Sequence, residues 1–445
     1  MNEIYCNQTD GSNRYLNPAD ITIDNGYAIE VFAEGLDTPS SILFTDHGDM
    51  IIANSGVTSG TPDVLILRNG TFESIARDFI VPIYGINYRN GEIYVSHRGI
   101  ISVLDLFGNK RDIISGLPSY GDYSNSRVDF GPDGKMYFGQ GTATNSGVVG
   151  TDNLWVPNYS FFCDAAGSPI ILNGQNYRTE NALIANDHET IYTGAFSPYG
   201  ELNNPHEVRK GVLKASGSIL RANIDGSGME LVAWGLRAPV YIKFDDDRLF
   251  VSNNGYDIRG SRPIANAPEE FLLITPDIWY GWPDYAGGEP VTLPRFRPEG
   301  APQPEFLMSC HPNIPPRPFA LFPPDSFIVG FAFNKNKNFG SLGDIYIAEF
   351  GSFRINTIGG LTQLYPTNGY KISKINPVTG NVTTFAINKS GFPSYLTREG
   401  GFGRPVDLAF GPDGALYVTD MGTSPIDDPN YIIPNTGVIW RITRI

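Results

Sequence analysis

Asp129-Phe-Gly-Pro-Asp-Gly-Lys-Met-Tyr-Phe138 reads as a strand, a Pro-Asp-Gly turn and a second strand. The same pattern returns as Leu408-Ala-Phe-Gly-Pro-Asp-Gly-Ala-Leu-Tyr-Val418. Looser copies start at Ile42, Ile86 and Ile242, and a last one joins Phe331-Ala-Phe to Gly343-Asp-Ile-Tyr-Ile347 through a longer turn. Each copy alternates apolar and polar residues on either side of a turn. A lone hairpin cannot bury its apolar face, so six copies imply stacked units. Repeats of about 40 residues built from short strands point to a β-propeller. The expected fold is therefore all-β: a six-bladed β-propeller of four-stranded antiparallel blades.

The spacing of the copies places the loops. Counted from Ile42, Ile86, Val128, Ile242, Phe331 and Leu408, the first two intervals are 44 and 42 residues, and the next three are 114, 89 and 77. A blade needs about 40–50 residues, so the surplus goes to an insertion at about 142–215 and to long loops at 253–269 and 286–324. Residues 1–26 read as a polar N-terminal arm and 27–445 as the propeller. Tyr27-Ala-Ile-Glu-Val-Phe32 precedes the first hairpin, and Gly437-Val-Ile-Trp-Arg-Ile-Thr-Arg-Ile445 ends the chain as a strand with nothing after it. The early strand is expected to complete the last blade, which would leave no open edge.

Composition bounds the function. Of 445 residues, 47 are acidic and 32 are Lys or Arg, a net charge of −15 that disfavours nucleic acid and anionic membranes as partners. No apolar run is long enough for a membrane helix, and no leader-like stretch follows Met1. Cys6, Cys163 and Cys310 permit at most one disulfide and match no zinc spacing.

Loops at one face of a propeller surround its central funnel, the default site. Those loops carry Arg98, Arg127, Arg237, Arg354 and Arg404 in a strongly acidic chain. Converging guanidinium groups suit a ligand with several carboxylates or phosphates. The alternative is pairing with Asp122, Asp257, Asp325, Glu349 and Asp420 on the same rim. His97, beside Arg98, is the one histidine in these loops and the candidate general base, with a structural, hydrogen-bonded role as the alternative. Trp279, Tyr280, Trp282 and Tyr285 could stack on a sugar or pack as a loop anchor. The oxygen-rich loop from Asn253 to Glu270 offers Asp257 and Glu269 as calcium ligands.

Taken together, several motifs resemble the soluble quinoprotein sugar dehydrogenases, the glucose/sorbosone dehydrogenase family. They are Phe130-Gly-Pro-Asp-Gly-Lys-Met-Tyr137, Ala233-Trp-Gly-Leu-Arg237 with Pro239, Asn253-Asn-Gly-Tyr-Asp257, Arg259-Gly-Ser-Arg-Pro263, Tyr280-Gly-Trp-Pro-Asp-Tyr285 and Gly403-Arg-Pro405. The resemblance spans about 27–445. It implies a funnel that binds pyrroloquinoline quinone and Ca²⁺ and oxidises an aldose or related alcohol. In the family a histidine takes the proton, and arginines, here Arg237 among them, hold the cofactor and the developing charge. It also implies an extracytoplasmic or cell-surface setting. Two positions depart from the family. Gly121-Asp-Tyr-Ser-Asn-Ser-Arg127 has no histidine where the family keeps its base, and Ala238 stands where the family usually has Asn. Losing a general base typically lowers the rate by roughly 10²–10⁴. The second expectation is therefore a non-catalytic propeller that binds a small sugar, a glycan or a protein, or that builds a surface assembly by self-association.

Overall fold

The structure, a computed structural model, describes residues 14–184, 189–352, 357–358, 361–362, 368–397 and 399–445. It is a six-bladed β-propeller of four-stranded antiparallel sheets. The helical segments among the described residues are one turn at Val156–Tyr159 and three 3₁₀ turns.

The repeated hairpins form the first two strands of every blade. Blade 3 starts with Asn125–Phe130 and Met136–Gln140, blade 6 with Pro405–Phe410 and Leu416–Asp420. The Pro-Asp-Gly sentence has a physical reason in both. Gly134 and Gly414 hold φ of +78° and +79°, the left-handed region that glycine enters without strain. Asp133 accepts from Lys135 N at 3.1 Å and from Tyr137 Oη at 2.9 Å, while Asp413 does the same for Ala415 N and Tyr417 Oη at 3.1 Å each. A Cβ on Gly131 or Gly411 would lie 2.6 Å from that tyrosine ring. The turn is thus a fixed set of Gly, Asp and Tyr, which is why it repeats as a phrase.

Blades 2, 3 and 4 with the insertion make one compact unit, residues 84–329 and 378–382. Blade 2 is Ile83–Arg89, Glu92–His97, Ile100–Asp105 and Lys110–Ile114. Blade 3 adds Ser218–Ala222 and Glu230–Trp234 to its hairpin. Blade 4 is Ala238–Asp245, Arg248–Asn254, Glu269–Ile274 and Ala320–Phe322. The Pro-rich stretch before residue 324 thus ends as the outer strand of blade 4. Asp129 ties the three blades. It accepts from Asn87 Nδ2 on blade 2 and from Phe244 N on blade 4, each at 2.6 Å.

Inside the insertion, paired strands at Asn176–Glu180 and Thr190–Gly194 stand beside short pairs and irregular chain. Its apolar side chains Val148, Ile170, Leu172 and Phe196 pack on Trp234, Trp279 and Trp282 in one buried cluster. Asp164 anchors its start by accepting from Ala143 N at 2.7 Å and Thr144 Oγ1 at 2.6 Å. Burial pushes that carboxyl up to about 6.

The other unit holds blades 1, 5 and 6, from residues up to 83, 330–377 and 383–445. In blade 6 the early strand Tyr27–Leu36 pairs antiparallel with Gly437–Arg444, so chain start and chain end close one sheet. Ile21–Ile23 adds a fifth strand to blade 5 against Val382–Asn388, so the second half of the polar arm is docked. Asp407 of blade 6 accepts from Ser41 Oγ at 2.7 Å and Ile42 N at 3.1 Å of blade 1. Cys163 and Cys310 are unbridged.

Candidate functional site

The densest charged group lies in the first unit, where the hairpin-flanking loops of blades 3 and 4 meet the start of the insertion. Arg237 follows the last strand of blade 3 and is buried. Its guanidinium donates to Asn145 O at 3.1 Å, Asn145 Oδ1 at 2.8 Å, Asp257 Oδ2 at 2.8 Å and Tyr123 Oη, and lies 4.6 Å from the Tyr123 ring centroid. Arg259 reaches three carboxylates: Asp122 and Asp152 at 2.7 Å each and Asp257 at 3.1 Å. Two guanidiniums therefore face three carboxylates, and the group as a whole is acidic. Those carboxylates hold Arg259 firmly protonated. Burial pushes the Tyr123 phenol up to about 12, so it stays neutral and is no base near pH 7.

The remaining arginines take different places. Arg127 donates to Tyr241 Oη and lies 4.5 Å from that ring's centroid. Arg98 is exposed. In the second unit, Arg404 is fully buried, donates to Pro429 O at 2.6 Å and sits among the rings of Phe350, Tyr370 and Tyr395. Arg354 lies outside the described residues. Arg127, Arg237 and Arg404 are thus each engaged by neighbours in their own unit.

His97 ends the second strand of blade 2 and is buried. Its Nε2 is 2.8 Å from Ser102 Oγ, which donates to Asp112 at 2.6 Å. With that hydroxyl hydrogen committed, Nε2–H is the donor to Ser102. Burial lowers its pKa to about 4, so the ring is neutral at pH 7 and built into the sheet.

The two candidate calcium ligands have separate duties. Asp257 serves Arg237 and Arg259. Glu269 is buried and accepts from Gly255 N at 2.7 Å. Burial pushes its carboxyl up to about 8, which makes it neutral at pH 7. Its neighbour Glu270 accepts from Asn253 Nδ2 at 2.8 Å and Gly287 N at 2.5 Å and is raised to about 7. Among the described residues, no three His, Cys, Asp or Glu side chains gather in a metal-binding group.

Other motif residues are packing elements. Trp279, Tyr280 and Trp282 are buried. Arg262 and Asp284 form an almost wholly buried pair at 3.2 Å. Asp284 also accepts from Leu307 N at 2.8 Å, Met308 N at 3.0 Å and His311 Nε2 at 3.0 Å. Asn253 Oδ1 accepts from both Arg237 N and Ala238 N at 3.0 Å.

Among the described residues, Arg237, Arg259, Asp257 and Glu269 are engaged with one another or with the backbone rather than arranged around a calcium-bound tricarboxylate quinone. Such an anion needs guanidiniums with donors to spare, and Arg237 and Arg259 already answer a carboxylate excess. Ca²⁺ needs six to eight oxygens, and Glu269 is buried with an oxygen committed to Gly255 N.

Beside this group lies a feature that sequence reading passed over. Trp155 Nε1 donates to Asp122 at 2.8 Å. From Trp155 a run of rings continues across Phe162, Tyr120, Tyr159 and Phe161, with neighbouring centroids 4.6–6.3 Å apart. Phe161 is 67% exposed, Tyr120 49% and Leu154 87%. The available signal was the aromatic density of 155–162 next to Tyr120; what hid it is the gap of about 35 residues between the two.

The fold places the chain in the class of six-bladed propellers shared with sugar oxidoreductases. Solved structures similar to it are the pyrroloquinoline quinone domain of pyranose dehydrogenase from Coprinopsis cinerea, a Trichoderma reesei protein of carbohydrate-active enzyme family AA12, and a glucose dehydrogenase-type oxidoreductase of Thermus thermophilus. The first is 16% identical with a TM-score of 0.58, covering 98% of both chains. The second is 15% identical at 0.59, covering 98% of this chain and 100% of the other. The third is 19% identical at 0.52, covering 94% and 100%. At these identities the likeness is one of fold. No protein-family model and no curated protein sequence matches the chain.

Proposed function

We propose that this chain is a saccharide-binding propeller of sugar-dehydrogenase shape that works without quinone chemistry. The observation that carries the reading is the continuity between the exposed rings and the Asp122–Arg259 fork, joined by Trp155. A pyranose presents an apolar C–H face to an aromatic ring while its hydroxyls need donors and acceptors that are already oriented. Tyr120 and Phe161 offer the rings. Asp122, Asp257 and Arg259, all partly exposed, offer the polar groups. A protein partner would need a larger apolar area with charge kept to its rim, whereas here charge and rings are interleaved.

The residues that quinone chemistry would require support the same reading. His97 is neutral and committed to Ser102, Tyr123 holds its proton, and Arg237 is engaged by Tyr123, Asn145 and Asp257. The chain's own groups can therefore bind and orient a polyol, and neither His97 nor Tyr123 serves it as a base near neutral pH.

The test is binding of oligosaccharides by calorimetry, with Tyr120→Ala and Phe161→Ala. Loss of one stacking ring is expected to weaken binding roughly five- to tenfold, with thermal stability unchanged because both rings are exposed. Binding that survives both changes would overturn the proposal, as would an absence of binding across neutral, acidic and amino-sugar oligomers.

A further inference from the structure

An open polar cleft of about 680 Å³ lies in the unit of blades 1, 5 and 6, whereas the aromatic run belongs to the other unit. It is lined by the Asp24–Asn25 turn, Tyr27, Lys337, Asn338, Asp344, Lys374 and Arg444, with Ser341 at its wall. Two glycines shape it. A Cβ on Gly26 would lie 3.1 Å from the Arg444 guanidinium carbon, and one on Gly340 would lie 3.0 Å from Tyr27 Oη. Tyr27 is fixed by donating to Phe339 O at 2.7 Å, and Arg444 lies 4.5 Å from the centroid of its ring.

The charges in the cleft are unevenly used. Lys374 pairs with Asp24 at 3.4 Å. Arg444 stacks on Tyr27 and Lys337 is exposed, and neither meets a carboxylate of a described residue. Asp344 is only 9% exposed and lines the cleft. Its carboxylate accepts no hydrogen bond from a described residue, and burial raises its pKa against the pull of Lys374. Its carboxylate faces the open cleft, where an acceptor without protein donors is available to a ligand's O–H groups. Three cations against two carboxylates make the cleft locally positive in a chain of net charge −15.

We propose that this cleft binds a small polyhydroxylated anion. Arg444 and Lys337 take its carboxylate or phosphate, and Asp344, Asn338 and Ser341 take its hydroxyls. A guanidinium fork matches either oxyanion bidentately, and Asp344 supplies what an inorganic anion cannot use, an acceptor for vicinal O–H groups.

The test is calorimetric titration of the whole chain with gluconate, glucose 6-phosphate, sorbitol and inorganic phosphate. Binding of gluconate, of glucose 6-phosphate or of both is expected, and the pair decides between a sugar acid and a sugar phosphate. Arg444→Gln should weaken that binding about tenfold, and added salt should weaken it further. Asp344→Asn should weaken the hydroxylated anions relative to inorganic phosphate, whose affinity the lost negative charge does not lower. Arg444 is exposed, so its variant should unfold at the wild-type temperature. The proposal is overturned if neither hydroxylated anion binds, if sorbitol or inorganic phosphate binds as tightly as they do, or if Arg444→Gln leaves the affinity unchanged.

Discussion

Glu269→Gln separates a structural carboxyl from a metal ligand. In the folded chain the Glu269 carboxyl titrates near 8, against 4.5 in the unfolded chain. Between those values the folded state holds one more proton than the unfolded state, so stability falls as pH rises. The slope is about 1.4 kcal/mol per pH unit. The stability present below pH 4.5 is thus lost by roughly 3–5 kcal/mol once the pH has passed 8. Gln keeps an oxygen for the Gly255 N–H and has no proton to lose. Relative to wild type, the variant should therefore gain stability steadily from pH 5 to pH 9, as read by urea unfolding at each pH. Glu270, titrating near 7, keeps its own slope in both proteins and cancels in the difference. A stability difference that does not change with pH would refute the reasoning. So would Ca²⁺ stabilising the wild type and not the variant, since a calcium ligand must be ionised.

The His97 ring should titrate near pH 4 by NMR, and because its folded value lies below the unfolded 6.5, its neutrality lends stability above pH 6.5 that is lost as pH falls toward 4. A midpoint near 6.5 would contradict the buried donor role. Asp284→Asn leaves the Arg262 charge without its buried partner and should cost about 3–5 kcal/mol by chemical unfolding; a loss under about 1 kcal/mol would contradict that pairing.

The fold was legible because its determinants are local. A Pro-Asp-Gly turn with a tyrosine three residues beyond its glycine closes a hairpin by itself in two blades, and four looser copies of the hairpin complete the count of six. The pairing of Tyr27–Leu36 with Gly437–Arg444 was legible too, because an alternating strand stands ahead of the first hairpin without a hairpin partner of its own. Ile21–Ile23 was not, since three residues at a blade edge carry too little alternation to stand out from a polar arm. The site was less legible because a guanidinium does not announce its partner. Arg237 is engaged by Tyr123, Asn145 and Asp257, which lie from 20 to 114 residues away. Glu269 and Glu270 look like calcium ligands in a loop rich in Asn and Gly. They are the first residues of a buried strand, where their carboxyls receive backbone and Asn donors. The family-like motifs report the same thing from another side. Arg262 and Trp282 donate to Ser146 O and Asn145 O at the start of the insertion, and Asp284 pairs with Arg262, so these motif residues carry a packing duty.

The most direct test of the account is a titration of pyrroloquinoline quinone with Ca²⁺ into the purified chain, followed by sugar-dependent reduction of an artificial electron acceptor. The engagement of Arg237 and Arg259 by Asp122, Asp152 and Asp257 predicts no stoichiometric complex and no turnover across an aldose panel. Tight one-to-one binding with sugar-dependent reduction would contradict the account.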